Sequence, residues 1–360
     1  MFPKLRFKKF DGDWLKLKYK DVLTIKYGKD HKSLNDGDIP VLGTGGIMRY
    51  VDSYLYDGES ILIGRKGTID KPQYINEKFW TVDTLFYTEI KENIVPLFLF
   101  QHALEVNWLG LNEATGVPSL NTTSIYNVDI SIPSKEEQTK IVTFLSAVDE
   151  KISQLTQKHE LLSQYKQGMM QKLFSQQIRF KADDGSEFGE WEEKELHQIF
   201  QIKAGGDIDK DSVSQVKTSE FCYPIFANSD KNKGFYGWAN KFKYKEALTV
   251  TGRGNLGIAV ARNEPFYPIV RLLILLPLIK QNLKFFEEQI NLLDIVSEST
   301  GVPQLTAPQL SRYKVNVPCL EEQTKIANFL SAIDQKIEVV AQQIEQAKTW
   351  KKGLLQQMFV

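Results

Sequence analysis

The sequence predicts an α+β protein in which two globular domains, related by a pseudo-two-fold axis, are separated by a long antiparallel two-helix coiled coil. Three observations predict it. TGVPSLN at residues 115–121 returns as TGVPQLT at residues 300–306, 185 positions later. EEQTKI at residues 136–141 returns unchanged at residues 321–326, and FLSAVDEKI at residues 144–152 returns as FLSAIDQKI at residues 329–337, at the same offset. After each of these repeats an apolar heptad runs to the end of its copy. A tandem duplication is read before anything else, because it lets two versions of one architecture be compared within a single chain.

Each copy opens on a tryptophan in a charged setting, Trp14 and Trp191. Short β-rich runs with glycine and asparagine turns follow. They include ILIGRKGTI at residues 61–69 and ALTVTGRGNLGIAV at residues 247–260. Apolar stretches at residues 95–108 and 272–293 read as helical. Each copy then has the TGVP loop, a short strand ending at Pro133 or Pro318, and a long helix.

In the first helix Ile141, Leu145, Val148, Ile152 and Leu155 form the seam; in the second, Ile326, Leu330, Ile333, Ile337 and Val340 do so. The steps alternate between four and three, the a/d pattern of a coiled coil. Even the defects match, since Lys166 and Lys351 occupy equivalent seam positions. Ser134, three residues before Glu137, marks the first helix start as a capping box. Equivalent copies packing through one seam require antiparallel helices, and about 40 residues make a rod of roughly 60 Å. The resulting expectation is a dumbbell with these divisions: domain one at 1–133, first helix at 134–179, domain two at 180–318, second helix at 319–360.

Composition narrows the class. The chain has 360 residues, enough for two or three domains. Hydrophobic content of 42 % and charged content of 25 % is the balance of a soluble globular protein. No apolar run reaches the length of a membrane span, and the N-terminus lacks the apolar core of a secretory signal. Cys222 and Cys319 are the only cysteines. They make neither a zinc quartet nor a disulfide framework, which fits a reducing cytoplasm. With 45 basic and 45 acidic residues the net charge is zero, which argues against a non-specific polyanion binder but leaves room for a local basic face.

Catalytic constellations are missing from the sequence. There is no P-loop, no G-x-S-x-G elbow, no H-E-x-x-H and no C-x-x-C. No residue is assigned a catalytic or metal-binding role. A binding module is therefore the better class. Its rivals are a coiled-coil protein–protein adaptor with no DNA sequence preference, and an enzyme with unrecognised motifs.

Nucleic acid is the ligand the residues favour. Gly64, Arg65, Lys66, Gly67 and Thr68 form a glycine turn carrying cations, and Arg253, Gly254 and Asn255 follow Gly252 in the second copy. Such a turn lets backbone approach a phosphate while a guanidinium reaches a base edge. The second copy adds Lys231, Lys233, Lys241 and Lys243, interleaved with aromatics and with Asn228, Asn232 and Asn240, a composition suited to phosphate positioning and base reading. Arg65 and Arg253 are read as occupying matching places.

The copies differ most in these globular loops and least in the helices. Glu136, Glu137, Gln138 and Lys140 recur identically as Glu321, Glu322, Gln323 and Lys325. Read as solvent-side residues, they form a platform for one partner used twice.

With these motifs in hand, the layout resembles the specificity subunits of type I restriction–modification systems over essentially the whole chain. The carriers are the paired TGVP motifs, P-x-x-E-E-Q-x-K-I at each helix start, and FLSAVDEKI/FLSAIDQKI. The resemblance implies a non-catalytic subunit with two target-recognition domains, each reading one half of a split, asymmetric site in double-stranded DNA. It implies partners: two methyltransferase subunits and restriction subunits, with S-adenosylmethionine, ATP and Mg bound by those partners and no cofactor bound by this chain. Carried over by position, the GRKGT and GRGN loops face DNA, the EEQTKI and FLSA segments form spacer and platform, and the TGVP motifs join each domain to its helix.

Overall fold

The computed structural model describes residues 3–296 and 303–359, so Thr300, Gly301 and Val302 of the second TGVP motif lie outside the described residues. The chain divides into two compact units, residues 1–157 with 340–360, and residues 158–339. Both long helices are therefore shared, each contributing one half to each unit.

In the first unit β1 (Leu15–Lys18), α1 (Tyr19–Val22) and β2 (Leu23–Tyr27) lead into a hairpin of β3 (Ile39–Gly43) and β4 (Gly46–Val51). The strands β5 (Tyr56–Gly64), β6 (Gln73–Thr81) and β7 (Leu85–Ile90) follow, then α2 (Pro96–Glu105), α3 (Thr122–Tyr126), β8 (Asp129–Ile132) and the long α4 (Lys135–Phe174). Six strands form one sheet in the order β2-β7-β5-β6-β3-β4, and β1 pairs separately with β8. Ile61, Leu62 and Ile63 of β5 are wholly buried. A strand covered on both faces reads as a continuous apolar run rather than an alternation. Pro96 starts α2, where a missing N–H costs nothing.

The second unit repeats this plan. It contains β9 (Glu192–Glu195), α5 (Leu196–Ile199), β10 (Phe200–Ala204), β11 (Val213–Ser214), β12 (Tyr223–Phe226) and β13 (Phe235–Ala239). Then come β14 (Ala247–Thr251), β15 (Ala259–Arg262), β16 (Tyr267–Pro268), β17 (Leu272–Pro277), α6 (Leu283–Ile290), α7 (Ala307–Leu310), β18 (Lys314–Val317) and α8 (Leu320–Met358). The sheet β10-β17-β14-β15 copies β2-β7-β5-β6, and the pair β9-β18 copies β1-β8. One difference has a simple cause. In the first unit the unbroken β6 pairs with both β5 and β3. In the second, Pro265 falls between β15 and β16, so the counterpart of β6 is split and β12 joins a separate sheet, β11-β13-β12-β16. Proline has no N–H for the ladder.

The stretch at 272–293 corrects the helical reading. Its first six residues are β17, a buried central strand, and only Leu283–Ile290 is helix. A short apolar run bounded by Arg271 and Pro277 fits strand and buried helix equally until its neighbours are known.

The long helices run antiparallel. Lys351 lies 2.7 Å from Asp149 in the first unit, and Lys166 lies 2.7 Å from Asp334 in the second. Under the 185-residue repeat each ion pair is the copy of the other. The seam lysines are thus neutralised at the points where they interrupt the apolar stripe, and Lys166 also reaches Glu288 at 3.0 Å. Ile141, Leu145, Val148, Leu155, Ile326, Leu330, Ile333 and Val340 are buried, and Ile152 and Ile337 are half-buried. Near its start the seam belongs to a domain core as well as to the partner helix. Ile141, Leu145 and Val148 share one apolar cluster with Trp14, Phe98 and the Leu354–Met358 end of α8. Ile326, Leu330 and Ile333 do the same with Phe285, Phe286 and the Met170–Leu173 end of α4.

Candidate nucleic-acid interface

The site is built where β5 and β14 end. A Cβ at Gly64 would collide with the Thr68 carbonyl, and Gly67 has φ +98°, so the GRKGT turn needs both glycines. Its backbone is fastened on two sides. Arg65 N–H and Lys66 N–H donate to the Thr84 carbonyl at 2.9 and 3.2 Å. Gly67 N–H donates to Pro118 O at 2.8 Å, and Leu120 N–H donates to Arg65 O at 2.9 Å.

The second unit repeats the pairing. Gly254 N–H donates to Pro303 O at 3.2 Å, and Leu305 N–H donates to Gly252 O at 2.8 Å. Lys66 bridges to Ser119 and Arg253 to Gln304. The TGVP segments therefore do not join domain to long helix. Pro118–Leu120 and Pro303–Leu305 lie along the cationic loops, with α3 or α7 and then β8 or β18 intervening before the helix begins.

This register corrects the matching of Arg65 with Arg253. The TGVP pairing places Lys66 where Arg253 stands and Arg65 where Gly252 stands. Strand register agrees independently: Gly64 opposes Leu85 and Thr251 opposes Leu272, making Gly64 the counterpart of Thr251. The Gly-Arg letters coincide, but the structural equivalence is shifted by one residue.

Arg65, Lys66, Gly254 and Asn255 are exposed, and Arg253 and Thr68 are half-buried. The Arg65 guanidinium stacks 5.5 Å from the centre of the Tyr27 ring and donates from Nη1 to Asp83 O at 3.1 Å. Beside it is an open depression of about 450 Å³ lined by Tyr27, Lys66, Thr84 and Asn121. Lys231 and Lys233 lie on an exposed turn before β13, in which Asn232 (φ +47°) and Lys233 (φ +51°) are left-handed. Asn255 is tied to Asp230 through its amide, which holds the Asp230 carboxyl below the usual range. Lys241 and Lys243, also exposed, make their contacts with a different loop. Lys241 is 3.5 Å from Asp209, and Lys243 lies beside Gly206 and 5.8 Å from the Tyr244 ring centre. Asn228 is not a free base reader, because its amide is spent on backbone. Its Oδ1 accepts from Gly252 and Arg253 N–H at 2.6 and 3.1 Å, and its Nδ2 donates to Arg253 O at 2.7 Å.

The solvent-side reading of the repeated helix starts is corrected for four residues. Glu137, Gln138, Glu322 and Gln323 are all at most 2 % exposed. Arg6 grips Glu137 with two 2.7 Å bonds, and Arg179 grips Glu322 at 3.0 and 2.8 Å. In both arginines the carboxylate's hydrogen bond is the largest cause of a raised pKa. Glu137 N–H still donates to Ser134 Oγ at 3.3 Å, but its carboxylate is turned to Arg6, so only half of the expected capping box forms. Gln138 accepts from Val95 N–H at 2.8 Å and donates to Pro133 O at 3.0 Å; Gln323 accepts from Asn282 N–H at 3.0 Å and donates to Pro318 O at 2.9 Å. Each glutamine thus ties the N-cap of a core helix to the start of a long one. These residues recur because they do the same internal work twice. Glu136, Lys140 and Glu321 are exposed, while Lys325 is held by Asp183 at 2.6 Å. Arg6 and Arg179 escape a reading confined to the long motifs, although RFK at 6–8 and at 179–181 repeats in front of each domain.

No group of side chains among the described residues is arranged to hold a metal ion, and no described helix is long and apolar enough to cross a membrane.

Two β-rich domains built on one plan, fastened to antiparallel long helices and differing in their cationic loops, define a duplicated recognition protein. The sequence profile of the type I restriction modification DNA specificity domain matches residues 11–164 and again residues 189–349. The chain belongs to the family of type I restriction–modification specificity subunits, the non-catalytic members of those complexes. It is 26 % identical over 326 residues to a Mycoplasma pneumoniae protein provisionally designated a type I specificity subunit, covering 88 % of each chain. It is 26 % identical over 346 residues to the type I restriction enzyme MjaVIII specificity subunit of Methanocaldococcus jannaschii, covering 84 % of this chain and 76 % of that one. The crystal structure of a type I S subunit from M. genitalium superposes with a TM-score of 0.68 at 17 % identity, covering 100 % of this chain and 99 % of the other.

Proposed function

We propose that this chain is the address subunit of a cytoplasmic type I complex: it reads a split, asymmetric target in double-stranded DNA and recruits two methyltransferase subunits together with restriction subunits. The observation that carries the reading is the contrast between copies. One fold and one loop position present Arg-Lys-Gly in the first domain and Gly-Arg-Gly in the second. Two different readers on one scaffold fit two different half-sites. Residues 1–133 and 180–318 serve as the recognition domains, and residues 134–179 and 319–360 as spacer and platform. Gly64–Thr68 of the first loop and Arg253–Asn255 of the second face DNA, supported by Lys231, Lys233, Lys241 and Lys243. Exposed Glu136, Lys140 and Glu321 are what the platform offers a methyltransferase subunit. S-adenosylmethionine, ATP and Mg belong to the partner subunits.

The test is base-resolution methylation mapping of cellular DNA with this chain present or deleted beside its methyltransferase. A split motif that disappears with the chain supports the reading and names both half-sites. An unchanged methylation pattern, with the methyltransferase active, favours an adaptor without DNA sequence preference.

A further inference from the structure

The two cationic loops are held by different means. In the first domain, the N–H groups of Arg65 and Lys66 are both accepted by one backbone carbonyl, that of Thr84. In the second, the register-equivalent N–H groups of Gly252 and Arg253 are both accepted by one side-chain oxygen, Oδ1 of Asn228. The same amide returns a bond from Nδ2 to Arg253 O at 2.7 Å, so a single side chain satisfies three polar groups of one dipeptide. A carboxamide carries an acceptor and a donor side by side, so it can serve both the N–H groups and the carbonyl.

Asn228 also opens the neighbouring turn. The next residues lead into Lys231–Gly234, where left-handed Asn232 and Lys233 are uncommon for residues with a side chain. That turn is itself clamped. Arg262, 8 % exposed, lies 3.5 Å from the Phe226 ring centre, donates from Nε to Thr249 Oγ1 at 3.0 Å, and donates from Nη2 to Lys233 O. The Asp230–Asn255 bond then joins turn to loop. Residues in sparsely populated backbone conformations persist only where their surroundings over-determine them, and they cluster at binding sites and ligand clamps.

We propose that Asn228 is a positioning residue for DNA reading by the second domain, fastening the Gly252–Asn255 loop to the Lys231–Gly234 turn as one rigid reading surface. This rests on the DNA-address reading above. Asn228 itself contacts no base. Its removal loosens the presentation of Arg253 without removing any cation.

The experiment compares full-length wild type, Asn228→Ala and Asn228→Asp, each with the methyltransferase partner, by methylation mapping and by competition binding to duplexes altered at single half-site bases. Asn228→Ala is expected to lower base discrimination in one half-site by about tenfold or more, the scale of a lost base contact, while the other half-site keeps its letters. The salt dependence of binding stays as in wild type, because no phosphate-binding cation is lost. Unchanged discrimination in both half-sites overturns the proposal. If Asn228→Ala lowers the melting temperature, Asn228→Asp decides: it keeps the acceptor for both N–H groups but sets an oxygen against Arg253 O. A folded Asn228→Asp with one half-site degraded supports the positioning role, and one with both half-sites intact overturns it. Failure of the wild-type chain to set any motif overturns the DNA-address reading instead.

Discussion

Lys66 and Arg253 carry the comparison of the two domains at the scale of residues, because cross-strand register makes them equivalent where letter matching pairs Arg65 with Arg253. Arg65 is then an extra cation, steadied against Tyr27 and the Asp83 carbonyl. The two should behave differently. Arg65→Ala is expected to cost about 1–3 kcal/mol and to relax one position of a half-site, as loss of a bidentate base contact does. Lys66→Ala is expected to weaken binding evenly across sequences and to lower the salt slope by about one. Competition binding at several salt concentrations separates the two outcomes; an even loss for Arg65→Ala would make it a phosphate contact.

A buried histidine supplies a pH test at the same scale. His102 accepts or donates a 3.0 Å bond with the Tyr19 hydroxyl, and burial lowers its pKa to about 4 from 6.5. A group depressed in the folded state favours the neutral form there, so the unfolded chain binds the proton first on acidification. The neutral imidazole's contribution is complete above pH 6.5 and is lost as pH falls toward 4, amounting to about 3 kcal/mol across that window. Hydrogen exchange in the first unit should show the loss in wild type and a shallower pH dependence in His102→Gln.

At the scale of elements, the long helices and where they begin were legible, and the burial of their first-turn residues was not. The four-and-three spacing of Ile141, Leu145 and Val148 is set along one chain and survives in any environment that buries one face. Whether Glu137 faces water depends on Arg6, 131 positions away, and nothing in the heptad reports that. The apolar run at 272–277 was ambiguous for the same reason, since its role as a strand is decided by β10 and β14 on either side. The helix starts also make unequal predictions. Arg6→Ala leaves the Glu137 carboxylate buried without its cation, a change that costs about 3–5 kcal/mol. Arg179→Ala should cost less, because Trp191 Nε1 still donates to Glu322 at 2.9 Å. Urea unfolding followed separately in each unit checks the order, and equal losses would show that the tryptophan adds nothing.

At the scale of the whole molecule, two copies of one antiparallel ion pair, Asp149–Lys351 and Lys166–Asp334, show that the duplication is built into the helix pairing itself. If the helices set the distance between half-sites, one heptad added to each at equivalent positions adds about 10 Å, or about three base pairs, since the helix rises ~1.5 Å per residue. Methylation mapping of that variant should return the same half-site letters around a longer spacer. An unchanged spacer would exclude the helices as the ruler.

The sequence by itself determined the duplication, the paired long helices and their seam, the β-rich domains, and the cationic glycine loops, because each is written either in a local pattern or in the recurrence of the same letters 185 positions later. Only the tertiary structure decided that the repeated Glu-Gln pairs are internal struts, that Pro118–Leu120 and Pro303–Leu305 lie along the cationic loops, that Lys66 matches Arg253, and that Asn228 is a clamp. Each of those facts is a hydrogen bond or a strand register between residues distant in sequence, and burial and register are properties of the partner brought alongside, not of the residue alone.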